Sequence, residues 1–216
     1  MTNVRDLSAS RRFMALLATR HGQILNRTDL AAPLGVSVPT ISQWIGVLET
    51  TQQVLVVPPF YENLGKRRIK SPKIYFVDSG LTCHLLGINT KAELERSPFL
   101  GSIFEGFVAS ELIKQQVNRG QRREIYHFRD EQGLEVDFLV PARNGGVTMI
   151  ECKAARTPLP SMAASLIKVR DAFKEKRMVK RPVQCVLTHR KGTRPSPETL
   201  IPGVKAMEIS AWIDGG

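Results

Sequence analysis

One strand-loop-strand unit constrains this chain more than any other stretch. It is GLEVDFLVPARNGGVTMIECK, residues 133–153. Two β-like runs flank a loop containing Asn144, Gly145 and Gly146, and side chains on a strand alternate between faces. The loop length therefore decides which residues meet. If Asp137 lies opposite Glu151, Pro141 faces Val147, residues 142–146 form the loop, and Glu135 lies opposite Lys153. A two-residue Asn144-Gly145 turn would instead set Cys152 against Asp137. The odd-length loop is expected, with Asp137, Glu151 and Lys153 on one face. A cross-strand surface ion pair is the plainer use of Glu135, Glu151 and Lys153.

The elements around this unit supply its context. Residues 101–118, GSIFEGFVASELIKQQVN, have helical periodicity, with Phe104, Phe107, Val108, Glu111 and Leu112 on one face and Glu105 beside it. Strands are expected at 124–129, 135–140 and 147–153. A helix with Met162, Leu166, Val169 and Phe173 at helical spacing follows, then a strand over VQCVLTH. The order is α-β-β-β-α-β. An acid in the first helix, Asp on the second strand and Glu-x-Lys on the third is the arrangement of PD-(D/E)XK nucleases. Glu105, Asp137 and Glu151, with the carbonyl of Cys152, are the candidate ligands for Mg²⁺ or Mn²⁺, which take oxygen donors at roughly 2.1 Å. Asp137, Glu151 and Lys153 are the candidate catalytic residues. The metal would activate water and neutralise charge on phosphate, and the ammonium of Lys153 would orient or deprotonate that water or steady the phosphate.

The N-terminal half reads as a winged helix-turn-helix. Helices are expected over 10–21, capped by Ser10, then after Thr28 to a left-handed Gly35, and then from Ser37 with Pro39 in its first turn. Ile41, Trp44, Ile45 and Leu48 share one face of the third helix, leaving Thr40, Gln43 and Val47 outward. Two strands, VLVVPPF and PKIYFV, enclose a basic turn that makes the wing. Thr40, Gln43, Lys66, Arg67, Arg68, Lys70 and Lys73 are the candidate DNA contacts. With no Lys or Arg between Ser37 and Leu48, phosphate contact through the wing is expected rather than base readout by arginine.

The expected fold class is α/β in the α+β sense. A winged helix-turn-helix domain (1–86) and a linker (87–100) precede a PD-(D/E)XK restriction-endonuclease-like αβββαβ domain (101–216). The formal net charge of +11 suits a polyanionic partner, DNA above all. Three scattered cysteines, Cys83, Cys152 and Cys185, suggest neither a disulfide framework nor a zinc site. Cys152 is expected to face the core, and His84 to be structural. No apolar run approaches the ~18 residues of a membrane helix, and the N-terminus lacks a signal-peptide pattern. A cytoplasmic protein without membrane contact is expected.

Several stretches resemble the C-terminal region of bacterial and archaeal AAA-type ATPases, which carries a winged helix and a PD-(D/E)XK-like module of unknown function. They are LLATRHGQILNRTDLAAPLGVSVPTISQWIGVLE, PPFYENLGKRRIKSPKIYFVDSGL, FLGSIFEGFVASELIKQ, IYHFRDEQGLEVDFLV and MIECK. The nuclease-fold positions of that group correspond to Glu105, Asp137, Glu151 and Lys153. An ATP-binding core precedes this region in the family, whereas this sequence has no Gly-x-x-x-x-Gly-Lys-Ser/Thr loop. The resemblance therefore implies a free-standing C-terminal half or a fragment of a longer product. It would bind no nucleotide and hydrolyse no ATP by itself, and an AAA-type ATPase is a candidate partner. The resulting expectation is a DNA-binding protein with a Mg²⁺-dependent, nuclease-like site hydrolysing phosphodiesters. The alternative is a non-catalytic DNA- or protein-binding module, a remnant of such an ATPase whose nuclease fold is only a scaffold.

Overall fold

The first helix, α1 (Val4–Ala18), is followed by a short strand, β1 (Gln23–Ile24), and two helices, α2 (Arg27–Leu34) and α3 (Val38–Thr50). The computed structural model describes residues 4–60, 71–142, 145–175, 183–192 and 197–214. Local chemistry accounts for the helix ends. Asn26, not Thr28, caps α2, its side chain accepting from the N–H groups of Thr28 and Asp29. Gly35 ends α2 at a φ of 65°, which a residue without Cβ adopts cheaply. Ser37 caps α3 by accepting from the Thr40 N–H.

Two strands follow, β2 (Val54–Val57) and β3 (Lys73–Phe76), and complete a three-stranded sheet of order β1-β3-β2. Phe13, Leu17, Ile41, Ile45, Ile74 and Phe76 are buried in one core, with Trp44 and Leu48 packed against it. Gln43 and Val47 are exposed on α3, as the periodicity requires, while Thr40 is half-buried and its hydroxyl lies 2.8 Å from that of Ser37. Two short helices come next, α4 (Ser79–Leu85), capped by Asp78, and α5 (Lys91–Arg96).

Residues 87–100, expected as a linker, contain α5. Thr90 and Glu93 form a capping box at its start, the reciprocal pair of side-chain bonds that lets a short polar segment hold a helical turn. The long helix α6 (Leu100–Asn118) follows. By internal packing the chain divides into one unit of Met1–Val56 and Ser71–Phe107 and another of Val57–Lys70 and Val108–Gly216. The division therefore falls within α6 rather than in the polar stretch before it.

In the second unit, β4 (Tyr126–Arg129), β5 (Glu135–Pro141) and β6 (Val147–Lys153) form an antiparallel meander. A 3₁₀ turn (Pro160–Ala163) and α7 (Ala164–Glu175) lead to β7 (Val183–His189), which pairs parallel with β6. Two further strands, β8 (Thr199–Ile201) and β9 (Val204–Glu208), extend the sheet to the order β4-β5-β6-β7-β9-β8, and α8 (Ile209–Asp214) follows. Leu166, Val169 and Phe173 of α7 are buried with Leu139, Val147, Met149 and Leu187 of the sheet. The expected α-β-β-β-α-β order is present, with one antiparallel pair of strands added. The fold is α+β.

Among the described residues no single helix is long and apolar enough to cross a membrane.

Candidate functional site

The hairpin of β5 and β6 has the register that the odd-length loop requires. Pro141 pairs with Val147, Val140 with Thr148, Leu139 with Met149 and Phe138 with Ile150. The next position in this register sets Asp137 beside Glu151. There the backbone ladder ends, and the Asp137 carboxylate takes over, accepting the Cys152 N–H at 2.8 Å. Both carboxylates are withdrawn from water, Asp137 being 9% and Glu151 6% exposed.

Lys153 donates to Glu151 at 2.7 Å. Burial pulls the Lys153 ammonium down, but the charge and hydrogen bond of Glu151 and the charge of Asp137 outweigh it and hold the group above the ordinary lysine value. The hairpin register and the Lys153–Glu151 ion pair bring the three groups to one place. Glu135 forms an ion pair with Arg129 of β4 at 3.2 Å. Cys152 is half-buried, not a core residue, because the strand alternation that turns Glu151 and Lys153 one way turns it to a less covered face.

Glu105 has a different environment. Within the first unit its carboxylate accepts from the Lys73 ammonium at 2.8 Å and from the Tyr75 hydroxyl. Lys73 is 2% exposed. It was grouped with the wing cations, but its burial against Glu105 takes it out of reach of a DNA phosphate, and Glu105 is engaged as its counter-ion. Lys66, Arg67, Arg68 and Lys70 lie outside the described residues. His84 is exposed in the last turn of α4, where a ring on the solvent side of a short helix needs no buried partner.

Among the described residues no three His, Cys, Asp or Glu side chains converge as a metal site. Two converging carboxylates nevertheless fit a small hard cation, because Mg²⁺ commonly takes one or two carboxylates and keeps its waters. Asp137 and Glu151 would hold it. A cleft of about 550 Å³ in the same unit, lined by Leu112, Arg119, Val140, Thr148 and Ile150 among others, includes none of these acids.

Residues 1–92 match the model of a domain of unknown function, DUF8612, and residues 100–202 match that of a second, DUF4143. DUF4143 is a domain found in AAA-ATPase-associated proteins. Over 156 residues, 72% of its length, the chain is 36% identical to an uncharacterized protein of Mycobacterium tuberculosis, Rv2008c, and equally to its Mycobacterium bovis counterpart, Mb2031c. The chain spans about a third of the length of these relatives, 34%.

The first unit carries a second buried polar feature that the sequence pattern did not single out. His21 is 2% exposed, and its Nδ1 accepts the Phe76 N–H at 3.1 Å. Among the described residues Nε2 has no hydrogen-bond partner, although the Ser102 backbone pulls the pKa upward. Burial dominates and drives the ring from 6.5 down to about 4. The folded state therefore resists protonation where the unfolded chain accepts it. The contribution to stability is complete above about pH 6.5 and is lost as pH falls toward 4. The slope is about 1.4 kcal/mol per pH unit, and the total about 3 kcal/mol. In a Trp212→Phe background, urea denaturation followed by Trp44 fluorescence between pH 7 and 4 should show this loss relative to His21→Gln. Parallel pH profiles for the two proteins would contradict it.

Gly106 of α6 leaves the space that His21 occupies. A Cβ at this position would lie 2.2 Å from His21 Nε2 and 3.3 Å from the Tyr75 ring. The imidazole is fixed by Phe76 and cannot step aside. Gly106→Ala is expected to destabilise the first unit by about 1–3 kcal/mol, despite the better helix propensity of alanine. A denaturation midpoint equal to or above wild type would refute the close approach.

Proposed function

We propose that this chain binds DNA and hydrolyses phosphodiesters at a Mg²⁺- or Mn²⁺-dependent site built on the β5–β6 hairpin. One observation carries the reading: the hairpin register sets Asp137 beside Glu151, with Lys153 on the latter. This is the carboxylate-carboxylate-lysine grouping of PD-(D/E)XK nucleases, and the α6-β4-β5-β6-α7-β7 order matches their core. When bound, the cation would supply an activated water and charge neutralisation at phosphate. Asp137 and Glu151 would hold it. Lys153, delivered to the same place by the period of two along β6, donates to a phosphate oxygen and fixes its orientation.

The first unit fits the delivery of DNA. The order α1-β1-α2-α3-β2-β3 with a β1-β3-β2 sheet is that of a winged helix, whose third helix and wing meet nucleic acid. Gln43, and Thr40 at the leading end of α3, are the proposed contacts of that helix with DNA. The wing cations Lys66, Arg67, Arg68 and Lys70 supply salt-dependent phosphate contact. The +11 charge favours the same partner. An AAA-type ATPase is the proposed protein partner, and the cytoplasm the proposed location.

Incubation with supercoiled and linear duplex DNA in Mg²⁺ or Mn²⁺ tests the proposal. Cleavage that EDTA abolishes is the expected result. The second reading, a binding module with a scaffold-only nuclease fold, draws on Glu105. This acid is bound to Lys73, and two carboxylates remain for a metal. Salt-sensitive DNA binding without cleavage in either metal would favour that reading over the first.

A further inference from the structure

The strand β7 adds a residue next to the hairpin site. In the parallel ladder of β6 and β7, Lys153 stands opposite His189, and His189 stands opposite Glu208 of β9. Neighbouring strands are about 4.8 Å apart, and paired residues project from one face. A lysine, a histidine and a glutamate thus form one row across the C-terminal ends of three parallel strands. These ends are where open α/β sheets place their ligands.

His189 is fully buried. Its Nδ1 lies 2.7 Å from the carbonyl oxygen of Arg190. A carbonyl only accepts, so Nδ1 carries the proton and the neutral ring has its lone pair on Nε2. Among the described residues this buried Nε2 has no hydrogen-bond partner. Such groups are uncommon, since a buried polar atom is normally matched. The adjacent lysine has the complementary surplus. Its ammonium has three donors, and one is directed at Glu151.

We propose that His189 is the second acceptor for the Lys153 ammonium. The lysine rests on Glu151 and passes to Nε2 of His189 when Glu151 is withdrawn from it. The purpose of this handover rests on the nuclease-like reading, in which Glu151 turns to a divalent cation. An ammonium with no second acceptor would then swing into solvent, whereas the row keeps it beside the phosphate. His189 is accordingly a positioning residue. It acts through Lys153 and needs no contact with substrate.

The test is ¹⁵N NMR of histidine-labelled protein at pH 8 without metal or nucleic acid, the His189 signals being assigned with His189→Gln. In Glu151→Gln the Nε2 resonance should move upfield as it accepts a hydrogen bond. In Glu151→Gln with Lys153→Met it should return to the wild-type position, and Lys153→Met alone should leave it there. Glu151→Thr, a residue suited to a strand, serves the same comparison if Glu151→Gln does not fold. A resonance that stays fixed when Glu151 is replaced overturns the proposal, as does a shift that persists without Lys153. Absence of DNA cleavage would remove the purpose of the handover while leaving the shift intact. Cleavage with no shift would remove the handover and leave the nuclease site standing.

Discussion

Replacing Glu151 by Ala, or Lys153 by Ala, is expected to lower Mg²⁺-dependent DNA cleavage by about 10²–10³-fold, the usual cost of removing one group that meets charge in the transition state. The two variants should differ in their metal dependence. Glu151→Ala removes one of two carboxylates that would hold the cation, so raised Mg²⁺ should recover part of the activity. Lys153→Ala leaves both carboxylates in place, and extra metal should not help. The side chain of Lys153 is 36% exposed, so its truncation leaves little void, whereas Glu151 is buried and its truncation carries some cost in stability. Circular dichroism and urea midpoints near wild type would exclude unfolding as the cause. Undiminished cleavage in both variants would place the chemistry elsewhere and sink the mechanism.

Lys73→Met should cost the first unit about 3–5 kcal/mol, because it strands the Glu105 carboxylate in a site that is nearly closed to water. Lys73 and Glu105 have side chains 3% and 15% exposed, joined at 2.8 Å, with the Tyr75 hydroxyl on the same oxygen. Adding Glu105→Gln to Lys73→Met removes the unmatched charge and should return a large part of the loss. The non-additivity of this cycle measures the coupling. Urea denaturation in a Trp212→Phe background, read through Trp44, which packs on Phe13 at 5.1 Å between ring centroids, reports on this unit. A cost below about 1 kcal/mol for Lys73→Met, the value of an exposed pair, would mean that the pair is not the buried lock its burial implies. Because Glu105 counters a lysine, its substitution should change stability more than metal affinity.

Where the sequence could be read, the signal was local. The αL position at Gly35 and the Ser37 cap depend on residues within one helical turn, and both are as expected. Leu166, Val169 and Phe173 share a face because helical spacing requires it. The β5–β6 hairpin has the register of the odd-length loop, one of two that the sequence allows, and a one-residue slip between them turns every side chain to the opposite face. Even local reading had limits. Thr28 and Asn26 are both good caps, and the choice went to the one whose oxygen reaches two free N–H groups. The polar stretch 87–100 looked like a linker, yet a capping box suffices for a short helix there.

The remaining features depend on partners distant in sequence. Lys73 resembles the basic residues just before it, and only burial against an acid 32 positions away separates it from them. Glu105 has the composition and place of a nuclease-fold acid, and pairing within the first unit gave it a counter-ion in Lys73. His189 ends a strand whose neighbour cannot be known from its own residues, and only the parallel ladder sets it opposite Lys153. The hairpin of residues 133–153 and the common face of Glu151 and Lys153 are thus properties of the sequence by itself, because a period of two leaves one arrangement along a strand. Strand pairing selected, of the two allowed registers, the one that sets Asp137 beside Glu151. Which charges around it are spent on structure, and which remain for chemistry, was decided by the tertiary structure, because burial and long-range pairing act only once distant segments meet.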